Sequence, residues 1–224
     1  DAIRTTTITR KKSLTGKVVY PLVIDPRYTV DIDTPADWAK YESLVYQGGL
    51  DMVTPDNRQR RAMPKRIELI ILDFDGVITD NKVWTDQDGR ETVAASRSDS
   101  IKIGELREKG IEVMVLSSEP NPVVAVRAKK MGVEAIHGIG MQDKGRVMRE
   151  VLEQKKVKAE DVVYVGNDLN DLPCFEVAGW SVAVADAYPE VLRAADHVLT
   201  NTGGHGAIRE LCEIVLKYLS EKEN

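Results

Sequence analysis

The stretch Ile67-Glu68-Leu69-Ile70-Ile71-Leu72-Asp73-Phe74-Asp75-Gly76-Val77 constrains this chain more than any other. Its apolar run, bounded by charge at both ends, reads as a strand buried on both faces of a parallel sheet. Two carboxylates follow, one residue apart, where such a strand should end. Open α/β sheets gather their ligands in the crevice at the carboxyl ends of the strands. Like charges this close repel, and Asp is a poor strand former, so positive charge is expected beside them. A divalent metal meets that need, because hard cations take carboxylate oxygens. The competing reading is an Asp-Gly turn with a spare Asp.

From Ile67 onward strand and helix patterns alternate. Val83–Thr85 and Glu91–Val93 flank Asp88-Gly89, a strong turn dipeptide, and form a hairpin. Asp99 or Ser100 caps a helix that runs to about Lys109 and ends at Gly110. Ile111–Leu116 is a buried strand, Pro122–Met131 a helix closed by Gly132, and Val133–Ile136 a short strand. An amphipathic helix over Asp143–Lys155 precedes the strand Asp161–Val165. Leu169–Val177 is helical, Ser181–Ala185 a strand and His197–Leu199 a short edge strand. The closing helix Ala207–Leu219 carries Ile208, Leu211, Cys212, Val215 and Leu219 on one face. This order defines an α/β fold, a three-layer, Rossmann-like parallel sheet between helices.

Residues 1–66 differ. Thr5–Thr9 and Val18–Ile24 read as short strands among five prolines. Thr34-Pro35-Ala36-Asp37 opens a helix, with Thr34 as N-cap, Pro35 at N1 and Asp37 at N3, which runs to Tyr46 and stops at Gly48-Gly49. The polar, proline-containing, Arg-rich residues 50–66 fit a linker, and Arg58–Arg61 read as its solvated face. So small a piece is not expected to hold a core alone. The expected domains are therefore 1–49, the linker 50–66, and 67–224.

Net charge of −5 over 224 residues gives no reason to expect nucleic acid. No apolar run reaches membrane-spanning length and no signal peptide opens the chain. Cys174 and Cys212 read as reduced thiols in helices, as expected of a cytoplasmic protein. The opening at Asp1 rather than Met leads to the expectation of a fragment or a processed product. Trp38, Trp84 and Trp180 are expected to pack, and His137 and His197 to be hydrogen-bonded strand residues rather than ligands.

Three further features fall where such a sheet places its ligand: Ser117-Ser118-Glu119 after one strand, Lys144 opening a helix, and Gly166-Asn167-Asp168-Leu169-Asn170-Asp171 after another. Two Asp, a hydroxyl, a Lys and further Asp are what phosphoryl transfer through a carboxylate needs. One acid attacks phosphorus, a second protonates the leaving oxygen and then activates water. Metal and ammonium neutralise the equatorial oxygens. The barrier to be removed is on the order of 20 kcal/mol, beyond any one of these groups.

In order and spacing, Asp73-Phe74-Asp75-Gly76-Val77, Ser117, Lys144 and Gly166–Asp171 resemble the four motifs of haloacid dehalogenase-like phosphohydrolases. The resemblance implies that Asp73 is the nucleophile, forming an aspartyl-phosphate. It implies that Asp75 is the general acid/base and gives its carbonyl to Mg²⁺, with Asp73 and Asp168 completing the metal shell. Ser117, Ser118 and Lys144 would hold the phosphoryl group, and Asn170 and Asp171 would support the site. Ser98-Asp99-Ser100, Ala183–Pro189 and Gly203–Glu210 narrow the resemblance to the 3-deoxy-D-manno-octulosonate 8-phosphate phosphatases and their nine-carbon relatives. In the nine-carbon branch, positions matching Glu119, Arg127 and Lys130 contact substrate. His205 stands where relatives often carry Arg, and Asn167 where many have Asp.

Neither the gap from Gly76 to Ser100 nor that from Glu119 to Lys144 has room for a cap domain. The hairpin is only a small flap, so a neighbouring subunit is expected to cover the site. The resemblance implies a homotetramer whose hairpins pack together. Tyr28–Asp37 resembles the end of an acylneuraminate cytidylyltransferase, in which Asp31 and Asp33 would belong to a metal site. The nucleotide-binding part is absent, which leaves the pair orphaned. Together these features point to a Mg²⁺-dependent phosphatase acting on a phosphorylated sugar acid. The alternative is a non-catalytic oligomerisation module of a cytidylyltransferase, against which the intact Asp73 and Asp75 argue. A phosphoacceptor signalling domain would carry its acceptor on a central strand, after an acidic pair on the first.

Overall fold

The structure, a computed structural model, describes residues 8–10, 12, 31–47 and 60–222. Its contacts divide the chain into two units, Asp1–Tyr41 and Glu42–Asn224. Helix α1, Pro35–Gln47, crosses that division. It opens on the expected Thr34 cap, which the structure makes reciprocal: Thr34 Oγ1 accepts the Asp37 N–H at 3.2 Å, and Asp37 Oδ2 accepts the Thr34 N–H at 3.0 Å. Ile8 and Thr9 lie in a helical turn rather than a strand. Strand preference reflects fit to a half-buried pleated surface, and Ile8 is exposed. The rest of Thr5–Thr9, the expected strand Val18–Ile24, the Gly48-Gly49 stop and residues 50–59 lie outside the described residues.

The second unit is an α/β sandwich around a six-stranded sheet. Its strands are β1 (Leu69–Leu72), β4 (Glu112–Leu116), β5 (Glu134–Ile136), β6 (Val162–Gly166), β7 (Trp180–Ala183) and β8 (His197–Val198). The order is β5-β4-β1-β6-β7-β8 and every pairing is parallel. Strand β1 is central and wholly buried. After it the chain builds outward through β4 and β5, then returns to the other side of β1 with β6. The order therefore reverses at β1, and the crevice of an open sheet lies at such a reversal. Asp73 follows β1, Ser117 follows β4, and Asn167-Asp168 follow β6, so three chain segments arrive at one end of the sheet.

The helices are α2 (Ser98–Glu108), α3 (Val123–Met131), α4 (Lys144–Lys155), α5 (Leu172–Val177), α6 (Pro189–Ala194) and α7 (Ala207–Lys222), with short 3-10 turns at Ala159–Asp161 and Leu169–Asp171. The expected helix Leu169–Val177 is thus split into a 3-10 turn and α5, and α6 was not foreseen. Neither Asp99 nor Ser100 caps α2: Arg97 holds that position without a side-chain bond. Asp99 is instead buried and accepts the Arg209 N–H at 3.1 Å. The first turn of α7 has N–H groups with no intrahelical partner, and Asp99 supplies the acceptor across the fold.

Two strands stand apart as a hairpin, β2 (Thr79–Thr85) and β3 (Glu91–Ala95). Asp86 Oδ1 accepts the N–H groups of Asp88 and Arg90, both at 2.9 Å, and closes the turn. Trp84 lies 57 % exposed on this hairpin, because a two-stranded sheet has no second layer to pack it. Trp38 is also exposed, so of the three tryptophans only Trp180 packs, stacked on His197 at 5.3 Å. Burial lowers the His197 pKa. The Nδ1 of His137 is buried without a hydrogen-bond partner, contrary to expectation. Both cysteines are buried and free, and burial pushes each thiol up to about 12.

Arg61 is not solvated linker. Its Nε and backbone N–H both reach the Asp196 carboxylate at 2.9 Å, and its guanidinium donates to the carbonyls of Phe175 and Ala178. Its fork geometry satisfies several acceptors at once, which ties the residues before β1 to the far edge of the sheet. No helix among the described residues is long and apolar enough to cross a membrane.

Candidate active site

Asp73 is buried at the end of β1, and its N–H is held by the Val165 carbonyl at 3.0 Å. Lys144, the first residue of α4, is fully buried. Its Nζ lies 2.7 Å from Asp73 Oδ1 and 2.7 Å from Asp171 Oδ1. Asp171 is itself saturated: it accepts the Tyr164 hydroxyl at 2.8 Å and the N–H groups of Asn167 and Asp168 at 2.8 and 3.1 Å. One carboxylate thus fixes both the ammonium and the loop after β6.

One ammonium between two carboxylates leaves a surplus negative charge in a low-dielectric place. Burial first, then Asp171, push the Asp73 carboxyl up to about 7, although Lys144 pulls the other way. Burial alone would lower the Lys144 pKa, but Asp73 and Asp171 outweigh it and raise it. Lys144 therefore stays charged. Asp75, half-buried, is raised by burial and by Glu119. Its Oδ1 accepts a long bond from the Thr79 hydroxyl at 3.4 Å, and that hydroxyl also accepts the Gly76 N–H.

Asp73, Asp75, Ser117, Ser118, Glu119, Asn167, Asp168 and Asn170 line one cavity with Asn81. Ser117 Oγ accepts the Glu119 N–H at 3.1 Å, which shapes the turn after β4. Asn170 Nδ2 reaches Ser118 Oγ at 3.4 Å, bridging two of the loops. Gly76 has φ +77, and a Cβ there would strike the Asn167 side chain. Only Gly allows this close approach. A Cβ at Gly203 would strike the Gly76 carbonyl, so the glycine-rich tail braces the loop that carries Asp75.

Not every expected residue converges. Arg127 lines no part of this cavity. Its guanidinium donates to the Ser96 carbonyl at 2.7 Å and to Ser100 Oγ at 3.1 Å, holding the end of the hairpin against α2. Lys130 is exposed on α3, outside the cavity lining. Spacing after a motif does not reveal which way a residue on a helix of 3.6-residue period faces. His205 lines a different cavity with Asp80, Ser96 and Ser98, and its Nδ1 meets the Gly203 carbonyl at 2.8 Å. Thr79, Asn81 and Tyr164 were missed. Tyr164 sits in a buried strand that reads only as packing, and Thr79 and Asn81 sit in the polar start of β2, where no pattern marks them.

Among the described residues no three His, Cys, Asp or Glu side chains form a metal cluster. The set implied by resemblance takes only a carbonyl from Asp75, leaving the side chains of Asp73 and Asp168. Mg²⁺ is commonly held by one or two carboxylates plus waters and substrate phosphate. The surplus negative charge fits a cation, and so does the buried Asn167 Oδ1, which lines the cavity without a hydrogen-bond partner.

A model of haloacid dehalogenase-like hydrolases matches residues 136–211. The 3-deoxy-D-manno-octulosonate 8-phosphate phosphatase of Escherichia coli is 36 % identical over 155 residues, covering 69 % of this chain and 82 % of that protein. The chain belongs to the haloacid dehalogenase-like hydrolases. Its sheet and site form a phosphatase domain of that family. The solved 3-deoxy-D-manno-octulosonate 8-phosphate phosphatase of Moraxella catarrhalis, in complex with magnesium, phosphate and KDO, superimposes with a TM-score of 0.65 at 29 % identity. That match covers 68 % of this chain and 87 % of the other. N-acylneuraminate cytidylyltransferase A of Danio rerio is 32 % identical over 203 residues, which is 90 % of this chain but only 45 % of that longer protein.

Proposed function

We propose that the chain is a Mg²⁺-dependent phosphatase that removes the terminal phosphate of a 2-keto-3-deoxy sugar acid, a nonulosonate 9-phosphate or an octulosonate 8-phosphate. The observation that carries this reading is Asp73, at the end of the central strand, bound to Lys144 and sharing one cavity with Asp75, Ser117 and Asp168. Asp73 attacks phosphorus, and the bond to the leaving oxygen breaks as Asp75 gives that oxygen its proton. Asp75 then takes a proton from water as the water attacks the aspartyl-phosphate, which frees phosphate and restores Asp73. The raised pKa of Asp75 suits a group that must first be an acid. Ser117, Ser118 and Lys144 bind phosphoryl oxygens. Asp73, Asp168 and the Asp75 carbonyl would hold Mg²⁺, which neutralises charge on the phosphoryl group when bound.

The 8-phosphate substrate of the bacterial relatives supports the sugar-acid class. The cytidylyltransferase match supports the nine-carbon branch and a cytidylyltransferase-like character for part of residues 1–66, within the proposed division 1–49, 50–66 and 67–224. At 203 residues it is longer than the 158 residues from 67 to 224, so it takes in part of 1–66. The same match favours the second reading, an oligomerisation module; the intact Asp73, Asp75 and Lys144 favour catalysis. A homotetramer, with exposed Val83 and Trp84 buried between hairpins and the site covered by a neighbour, belongs to the same proposal.

The test is phosphate release from 9-phosphate and 8-phosphate sugar acids, with Mg²⁺ and with chelator, beside Asp73→Asn. Wild-type release that needs metal and vanishes in the variant is expected. Equal rates for both proteins on every substrate would sink the enzyme reading. Light scattering on Trp84→Asp tests the assembly, with a smaller particle than wild type expected.

A further inference from the structure

The cavity around Asp73 is the inner end of a longer cleft. A second cavity, lined by Asp75, Asn81, Lys82, Val83, Glu91, Val93, Glu119, Asn121 and Val123, shares Asp75, Asn81 and Glu119 with it. The inner part is small, about 80 Å³, and the outer part is about 250 Å³. The cleft therefore offers a narrow place at the nucleophile and a wider one between the hairpin and the loop after β4. Asn121 Nδ2 meets Glu91 Oε2 at 3.2 Å and closes the far wall.

The charges along this path are one-sided. Asp73, Asp75, Asp168, Glu91 and Glu119 line it, and among the described residues the only cation that does so is Lys82. An anionic substrate entering a cleft of this sign is repelled unless a cation receives it. Lys144, beside Asp73, meets the phosphoryl end, and Lys82 is the cation at the outer end. Successive residues of a strand point to opposite faces, yet Asn81, Lys82 and Val83 all line the same cavity. The pairing of β2 with β3 shifts register between Thr79 and Val83, and Asn81 has φ +61. A bulge with a non-glycine residue in the left-handed region is a conformation kept where it re-aims a side chain. The Lys82 ammonium is mostly exposed and has one long contact, 3.4 Å to Asp80 Oδ2. It is free to turn to an anion in the cleft.

We infer that Lys82, aimed by the Asn81 bulge, is the specificity residue that receives the carboxylate of the substrate while its phosphoryl group sits at Asp73. The inference rests on the sugar-acid phosphatase reading and adds to it the group that separates acid from neutral phosphate esters. The experiment compares wild type with Lys82→Ala, Lys82→Glu and Lys82→Arg in Mg²⁺. The substrates are a 2-keto-3-deoxy sugar-acid 9-phosphate and p-nitrophenyl phosphate, which has no carboxylate.

For the sugar acid, KM is expected to rise about tenfold in Lys82→Ala, as for one lost charge-assisted contact near the surface. A further rise is expected in Lys82→Glu and recovery in Lys82→Arg, with kcat within about twofold throughout, as for uniform binding. KM for p-nitrophenyl phosphate is expected to stay unchanged. An unchanged KM for the sugar acid, or an equal rise for both substrates, overturns the role of Lys82 and leaves the phosphatase reading standing. If wild type turns over neither substrate, both fall together.

Discussion

Asp73 and Asp196 are both carboxylates nearly closed off from solvent, and they meet the cost of burial in opposite ways. Asp196 accepts the Arg61 backbone and Nε donors, the Ser181 N–H at 2.9 Å and the Ser181 hydroxyl at 2.8 Å. Burial raises its pKa, but these donors outweigh it and hold the carboxyl below its ordinary value. Asp73 shares a single ammonium with Asp171 and is pushed up to about 7. The satisfied acid joins the segment before β1 to β7 and the turn before β8. The unsatisfied one faces a cavity. A buried charge with all its partners is architecture, whereas one left short of positive charge is where a ligand's charge is to be used.

The contrast is open to breaking at several points. Asp73→Asn is expected to cut phosphate release by roughly a thousandfold or more while folding normally by circular dichroism. Asp196→Asn should keep its turnover per folded molecule and lose stability instead. If both variants lose activity in the same proportion, the division of labour between the two acids is wrong. Lys144→Met should destabilise by about 3–5 kcal/mol, because it strands Asp73 and Asp171 as buried carboxylates without a cation. Urea denaturation measures this, and Lys144→Met combined with Asp73→Asn should recover part of the loss.

Arg61→Ala should cost less, about 2 kcal/mol, because Arg61 is 36 % exposed and water can partly replace it. The smallest effect is in pH, measured with chelator present. The Asp73 pKa is raised on folding, from 3.8 to about 7, so in that interval the folded chain keeps a proton the unfolded chain has released. Stability from this group therefore falls as pH rises through the interval, and Asp73→Asn should gain on wild type between about pH 4 and about pH 7. The Asp196 pKa is lowered, so its contribution is present above the ordinary carboxylate range and lost as pH falls below it. The deficit of Asp196→Asn should shrink in acid.

The strand Leu69–Leu72, the helix starts at Pro35 and Lys144 and the Asp86–Arg90 turn were legible because each rests on local chemistry: an apolar run, a cap at Thr34, an amphipathic period and a turn dipeptide. The meeting of Asp73, Ser117, Lys144 and Asp168 was legible too, since alternating strands and helices force successive strand ends to one edge. That Arg127 and Lys130 stand outside the cavity lining was not legible, because a match in spacing carries no rotation about the axis of α3. Arg61 was misread because Asp196, 135 residues away, is invisible to any local pattern. Asp99 looked like a cap for its own helix and caps another.

The sequence by itself determined that a parallel sheet would end in two carboxylates needing positive charge, because apolar run length and the positions of charged residues decide both. Only the tertiary structure decided how that charge is shared. Whether Lys144 serves one acid or two, whether Arg61 is wet or clamped, and whether Lys82 faces the cleft depend on distances between elements far apart in the chain. Electrostatic energy follows those distances and their burial.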